Sequence, residues 1–238
     1  MTVQMELGEI LVDVVFKDIK NIHLGVYPPS GRVRVSAPVR MKPDTIRAFV
    51  ISKLGWIKQQ QRKLREQERE TPREYLNRES HYFWGERYLL QVREEQTTPE
   101  IQIKPGRMIL RVRPQTGENK MQAILSQFYR DQIKAKAAPI IAKWEPVMNV
   151  MVEKIHVQKM KTKWGSCNAK ARAIRLNTEL AKKPKHCLEY IIVHEMTHLL
   201  VPTHNDRFIA LIDSYMPNWR IHRDELNAYP LAHEDWGY

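Results

Sequence analysis

The chain has 238 residues, of which 42% are hydrophobic and 28% charged, which is typical of a globular protein with one large domain or two smaller ones. No apolar run is long enough to span a membrane, the first residues lack a secretory signal, and two cysteines do not make a disulfide framework, so we expect a cytoplasmic protein. The net charge of +12 favours polyanionic partners such as nucleic acid, although a generally basic surface without a specific partner has the same charge.

The N-terminal half alternates short apolar runs with turn residues, a pattern that predicts strands at residues 10–16, 22–26 and 32–36. A helix is predicted to begin at Pro43-Asp44-Thr45, and its continuation to residue 70 is polar nearly all round, as in a solvated helix or a charged arm. Two hairpins with turns at Gly85-Glu86 and Pro105-Gly106 are then predicted, with strands at residues 82–84, 87–92, 101–104 and 108–112.

The C-terminal half is predicted to be helical from residue 118 to 150, with interruptions at Pro139 and Pro146. Strands are predicted at residues 155–164 and 173–177, around a loop at 165–168, and three helices follow. No internal repeat is visible. The order of elements predicts an α+β fold: a β-rich N-terminal region with one long helix, residues 1–115, and a C-terminal region, residues 116–238, with a small sheet against the first of these three helices.

That first helix, between Pro184 and Pro202, carries the most informative motif of the chain, HEMTHLLVPTH. His194 and His198 are four residues apart, so both imidazoles lie on one helix face and can bind one ion. His204 follows after the break at Pro202 and supplies a third nitrogen ligand, which leaves a fourth position for water. Glu195 is placed to act as general base. The alternative is a buried helix whose histidines are only hydrogen-bonded.

These residues predict one Zn²⁺ per chain, held by His194, His198 and His204, with Glu195 as the catalytic residue. Hydrogen-bond acceptors for the N–H groups of the histidines are expected, and the oxyanion of the transition state needs a further donor. The sequence does not choose among the downstream candidates for these two roles, which are Asp206, Asp213 and Glu225 for the first and Tyr215, Arg220, His222 and Tyr229 for the second.

The chain also resembles a known family. The resemblance spans nearly the whole chain and rests on GRVRVSAP at residues 31–38, FWGERYLLQV at 83–92, KMKTKWGSCN at 159–168, IRLN at 174–177, the HExxH-x5-H motif and MPNW at 216–219. In these motifs the sequence is similar to the YgjP-like metallopeptidases, relatives of the SprT-like zincins. The resemblance implies that residues 116–238 are a catalytic region with a zincin-like fold, in a zinc-dependent hydrolase that acts on peptides or proteins.

Lys159, Lys161 and Lys163 alternate with Met160, Thr162 and Trp164, so a strand would gather the three lysines on one face. Such a face is a candidate for binding an acidic substrate or the phosphates of nucleic acid, and equally for an edge strand protected from aggregation. The preferred hypothesis is a cytoplasmic zinc metallopeptidase. The alternative is a nucleic-acid-associated protein, either a protease acting on DNA-linked proteins or a binding module with a structural zinc.

Overall fold

The computed structural model describes residues 2–27, 31–66, 79–160 and 163–228, in an α+β architecture. The described chain forms two compact units, residues 2–66 and residues 79–228. The sheet at residues 80–112 shares a hydrophobic core with the HExxH helix, within the second unit. Our division at residue 115 stays a prediction about domain organisation. Within the described ranges, no helix is both long and apolar enough to cross a membrane.

The first unit is a four-stranded sheet followed by two helices. Its strands are β1 (Thr2–Leu7), β2 (Ile10–Lys17), β3 (His23–Tyr27) and β4 (Arg32–Pro38), in the order β1-β2-β4-β3. The helices are α1 (Pro43–Ser52) and α2 (Leu54–Glu66). We expected one helix here, but it breaks at Lys53, and residues 67–70 of the expected charged arm lie outside the described residues. Valines of β2 and β4 pack against Ile46, Val50 and Ile57 to form the core.

The second unit begins with another four-stranded sheet, made of β5 (Ser80–Phe83), β6 (Glu86–Glu94), β7 (Glu100–Lys104) and β8 (Arg107–Val112). Its order, β5-β6-β8-β7, repeats the topology of the first sheet: two antiparallel hairpins joined by one central parallel pair, β2 with β4 and β6 with β8. The fold therefore contains a repeated arrangement that we did not find in the sequence.

A single helix, α3 (Glu118–Met148), runs through both prolines that we expected to interrupt it. Each proline removes one backbone donor, yet a buried stripe extends along the whole helix and outweighs that loss. The stripe consists of Leu125, Tyr129, Ile133, Ala137, Ile141, Trp144 and Met148. The helix ends at Asn149, whose φ of 51° is left-handed and whose N–H donates to Glu145. The buried face of α3 forms part of the hydrophobic core of the second unit.

The remaining elements form the frame of the motif. A three-stranded sheet contains β9 (Lys154–Gln158), β10 (Gly165–Asn168) and β11 (Ala173–Asn177) in the order β10-β11-β9. A 3-10 helix (Thr178–Lys182) leads to α4 (Lys185–Leu200), which carries HExxH, and then to α5 (Asp206–Tyr215) and α6 (Trp219–Ala228). Two predictions were wrong here: the strand expected at 155–164 ends at Gln158, and the expected loop at 165–168 is strand β10.

Candidate metal centre and catalytic residues

The three predicted histidine ligands lie together. His194 and His198 are one turn apart on α4, which ends before Pro202, and the short connection to α5 brings His204 back toward them. One nitrogen from each of the three rings lies within 4.8 Å of the others, and the Nε2 atoms of His194 and His204 are 3.0 Å apart. Three imidazole nitrogens that converge in this way fit a divalent metal ion of the zinc type.

The surroundings hold these rings in place. Phe208, which is almost fully buried on α5, packs against all three imidazoles with ring centroids 4.6–5.1 Å apart. His198 Nδ1 donates a hydrogen bond to the Val201 carbonyl at 3.1 Å, which sets its tautomer and leaves Nε2 for a ligand bond. Asn205 caps α5 by accepting from the Phe208 N–H at 3.0 Å. The turn that returns His204 is therefore anchored at its far end.

The electrostatics of the cluster also suit metal binding. Burial, reinforced by the neighbouring His198 and His204, lowers the pKa of His194 to about 4, and burial lowers the pKa of His198 as well. Both imidazoles are therefore neutral at neutral pH, which is the form that binds a metal. The arrangement therefore disfavours protonation of His194 and His198 and leaves their nitrogens available as metal ligands.

Glu195 is a buried carboxylate with an unusual environment. It is 4% exposed, and its Oε2 atom has no hydrogen-bond partner among the described residues. Burial raises its pKa to about 7, although the positive charge of Lys163 acts in the opposite direction. A carboxyl group with a pKa near neutrality can both accept and return a proton at physiological pH. This property is what a general base needs when it must later act as an acid.

Strand β10 lies directly against this carboxylate. A Cβ atom at Gly165 would be only 2.6 Å from Glu195 Oε1 and 2.9 Å from a methyl carbon of Ile191, so no side chain fits at that position. Within the sheet, β10 pairs with β11 on one side, and among the described strands it is an edge. An edge strand beside a candidate general base is a surface on which an extended peptide can add as a further strand.

The lysine face predicted from sequence is not formed as a strand. Lys159 and Lys163 lie in the connection between β9 and β10, while Lys161 is outside the described residues. Burial lowers the pKa of Lys159, and the charge of Glu179 opposes this shift. Lys159 and Lys163 therefore do not lie on a strand, although the alternation predicts one, and the binding role of the three lysines stays a prediction.

Asn177, which we did not single out from the sequence, organises this connection. It is buried at the end of β11, and its amide nitrogen donates to the carbonyls of Met160 and Lys163, each at 2.8 Å. Its side-chain oxygen accepts from the N–H groups of Met160 and Glu179. A polar residue at the end of an apolar strand, IRLN, was the available signal. These bonds hold Met160 and Lys163 beside the end of β11, and neither residue belongs to a strand.

Four of the downstream candidates for the acceptor and oxyanion roles have partners of their own, as two pairs: Asp213 with Arg220, and His222 with Glu225. Asp213 accepts from Trp219 Nε1 at 2.7 Å and pairs with Arg220, so both of these charged groups are committed to each other. Trp219 stacks on Tyr190, whose ring packs against His194, so two aromatic rings lie between Asp213 and that histidine. His222 and Glu225 lie with His186 in a second cluster. Tyr229 is outside the described residues.

The two cysteines are free thiols, of which Cys187 is buried and Cys167 is half-buried. Burial raises the pKa of Cys167 to about 11, with a further contribution from Glu195, and raises that of Cys187 to about 12. Both therefore remain protonated at neutral pH, and neither is a nucleophile or a ready metal ligand in this conformation.

The helix-borne HExxH motif, the third histidine and the adjacent sheet define the class of this protein as a metallopeptidase. The family is shown by its sequence model, "YgjP-like, metallopeptidase domain", which matches residues 20–229. The chain belongs to this family, and the resemblance inferred from the motifs is confirmed.

Solved structures similar to this chain include two metallopeptidase zymogens. Abylysin from Pyrococcus abyssi is 16% identical, with a TM-score of 0.36, over 38% of this chain and 90% of that one. Jannalysin from Methanocaldococcus jannaschii is 23% identical, with a TM-score of 0.33, over 40% of this chain and 92% of that one. The comparison with curated proteins finds no match.

Proposed function

We propose that this metallopeptidase is a zinc enzyme in which His194, His198 and His204 hold the ion and Glu195 is the general base. The observation that carries the proposal is the convergence of three imidazole nitrogens beside a buried carboxylate whose pKa is about 7. A purely structural zinc site gains nothing from such a carboxylate, because the carboxylate is not needed as a ligand. The proposed substrates are peptides or proteins.

The chain's own residues then have distinct tasks. A bound zinc ion supplies Lewis acidity toward water and toward the scissile carbonyl. Glu195 accepts the proton of the attacking water and returns it to the leaving amine, which its near-neutral pKa allows. The edge of β10, which lies against α4, binds the substrate backbone in an extended conformation as a further strand of the sheet. Phe208 keeps the three imidazoles in one orientation throughout.

The test separates metal binding from proton transfer. Glu195→Gln should keep the zinc content and the melting curve of the wild type, but lose cleavage of a library of unstructured peptides by orders of magnitude. His204→Ala should lower the affinity for zinc. His156→Ala, at an exposed position on β9, is the matched control and should change neither. Cleavage by Glu195→Gln near the wild-type rate would exclude the general-base role, and unchanged zinc affinity in His204→Ala would exclude the third ligand.

A nucleic-acid partner is a second candidate because of the net charge of +12. If the charge serves nucleic acid, binding to DNA must weaken steeply with salt, because each neutralised phosphate releases counterions. Replacing Lys159, Lys161 and Lys163 by serine should lower both the affinity and the slope of log affinity against log salt in an anisotropy titration. An absence of binding at low salt would leave the charge without this role.

We also propose a cytoplasmic location, supported by two cysteines that are free thiols rather than a disulfide pair.

A further inference from the structure

A second cluster of metal-binding side chains lies away from the HExxH motif. It combines His186, from the first turn of α4, with His222 and Glu225, three residues apart on one face of α6. One donor atom from each of the three lies within 4.8 Å of the others. The Nε2 atom of His186 contacts a carboxylate oxygen of Glu225, and the rings of His186 and His222 are 4.9 Å apart.

This cluster is separate from the catalytic histidines. His186 precedes His194 by eight residues, which corresponds to about 12 Å along a helix. The nearby carboxylate of Glu189 does not belong to the cluster, because it accepts hydrogen bonds from Trp144 Nε1 at 2.9 Å and from Lys143 Nζ at 2.8 Å. The three donors of the cluster come from α4 and α6, two helices that α5 separates along the chain.

We propose that His186, His222 and Glu225 form a second binding site for a divalent transition metal, with Zn²⁺ as the best match. Two imidazole nitrogens and one carboxylate oxygen are a donor set typical of zinc, and also accept cobalt, nickel or copper. Magnesium and calcium prefer sites made wholly of oxygen ligands and do not fit. Since three protein ligands are present, one coordination position remains for water.

An ordinary ion pair does not account for the whole arrangement. A pair between His186 and Glu225 uses two of the three residues. The Nδ1 atom of His222 is buried and has no hydrogen-bond partner in the part of the chain that the structure describes. A buried polar atom without a partner is unfavourable, and such atoms in folded proteins usually mark a water or an ion. A metal bound by the three residues explains why a third donor group is held in this position.

The location indicates what the metal would do. Its ligands connect α6, the last described helix, to the first turn of the helix that carries HExxH. Binding would therefore fix α6, together with Trp219 at its first residue, which stacks on Tyr190 next to His194. Because His186 is 43% and Glu225 35% exposed in their side chains, the ion can exchange with solvent. The site is a cross-link between helices and takes no part in the reaction.

Metal titration of the chelator-treated protein tests this assignment without any measurement of activity. Cobalt is the probe, because its visible absorption reports its ligands. The wild type should bind about two ions per chain, and His198→Ala/His204→Ala, which removes two of the three catalytic ligands, should bind about one. Adding either His222→Ala or Glu225→Gln to that double variant should remove the remaining ion, whereas adding His156→Ala should not.

In the series built on the double variant, either of two results would overturn the second site: a double variant that folds but binds no cobalt, or cobalt that stays bound after both His222→Ala and Glu225→Gln. Far-UV circular dichroism checks folding of every variant. If the double variant does not fold, single His222→Ala in the otherwise intact protein decides the question, because it should lower the stoichiometry from about two to about one. In that experiment, the same stoichiometry in the wild type and in His222→Ala would reject the site. Loss of the catalytic ion leaves this outcome unaffected, so the two metal proposals fail separately.

Discussion

Replacing Gly165 by alanine is the sharpest test of how the sheet and the motif helix fit together. The added Cβ would be 2.6 Å from Glu195 Oε1, against about 3.4 Å for an ordinary van der Waals contact, so the carboxylate must retreat by about 0.8 Å or β10 must move. Extra atoms in a packed interior usually cost about 1–3 kcal/mol. A misplacement of about 1 Å at a reacting group costs on the order of 100-fold in rate. We therefore expect Gly165→Ala to be less stable by about 1–3 kcal/mol, and to cleave peptides about 10- to 100-fold more slowly.

The measurement combines urea unfolding, zinc content and peptide cleavage on the same preparation. Zinc content should be unchanged, because the nearest atoms to the new Cβ belong to Glu195 and Ile191 and not to the histidines. Gly55→Ala is the matched control: its Cβ meets nothing within 4 Å inside α2, so it should be neutral or stabilising by up to about 1 kcal/mol.

A double-mutant cycle identifies the cause of the effect. In a Glu195→Ala background most of the clashing atoms are gone, so Gly165→Ala should destabilise the protein less than it does in the wild type. Equal costs in both backgrounds, or a Gly165→Ala protein as stable and active as the wild type, would show that β10 and Glu195 are not in close contact.

Three further changes have defined outcomes. Asn177→Ala removes four hydrogen bonds and should lower stability by about 2–4 kcal/mol in urea unfolding. It should also speed proteolysis between β9 and β10, and unchanged proteolysis would show that Asn177 does not hold this connection in place. Phe208→Ala should cost about 3–5 kcal/mol and weaken zinc binding, whereas intact zinc affinity would show that the ring does not orient the histidines. The hydrogen bond from Arg32 holds the pKa of Asp13 below its ordinary 3.8. The ionised carboxylate therefore stabilises the folded protein above that pH, and this contribution is lost as pH falls through the pKa of Asp13 in the folded protein. The destabilisation caused by Asp13→Asn should therefore shrink in acid, and a difference independent of pH would reject this linkage.

The elements that were predicted correctly depend on short-range patterns. The spacing of His194 and His198, with the apolar residues between Leu188 and Leu199, specifies a helix with both imidazoles on one face. Pro202 ends that helix, and the structure brings His204 back to it as the motif indicates. The strands around Gly85 and Gly106 follow from turn residues at which φ is 85° and 68°.

The elements that were missed depend on contacts between distant residues. The alternation in residues 159–164 favours a strand, but Met160 and Lys163 instead accept hydrogen bonds from Asn177, which is 17 and 14 residues away along the chain, and neither belongs to a strand. Packing against the core keeps α3 continuous through Pro139, although local propensity predicts a break. The shared topology of the two four-stranded sheets is a property of strand pairing and leaves no repeated residues to detect.

By itself the sequence determined the family, the helix that presents HExxH and the residue types available for metal binding, because these properties depend on neighbours within a few turns of one chain segment. Only the tertiary structure decided that β10 lies against Glu195, that burial brings the pKa of this carboxyl to about 7, and that His186 meets His222 and Glu225. The physical reason is the same in each case. Burial and close approach arise when separate elements pack together, and the spacing of residues along the chain does not contain that information.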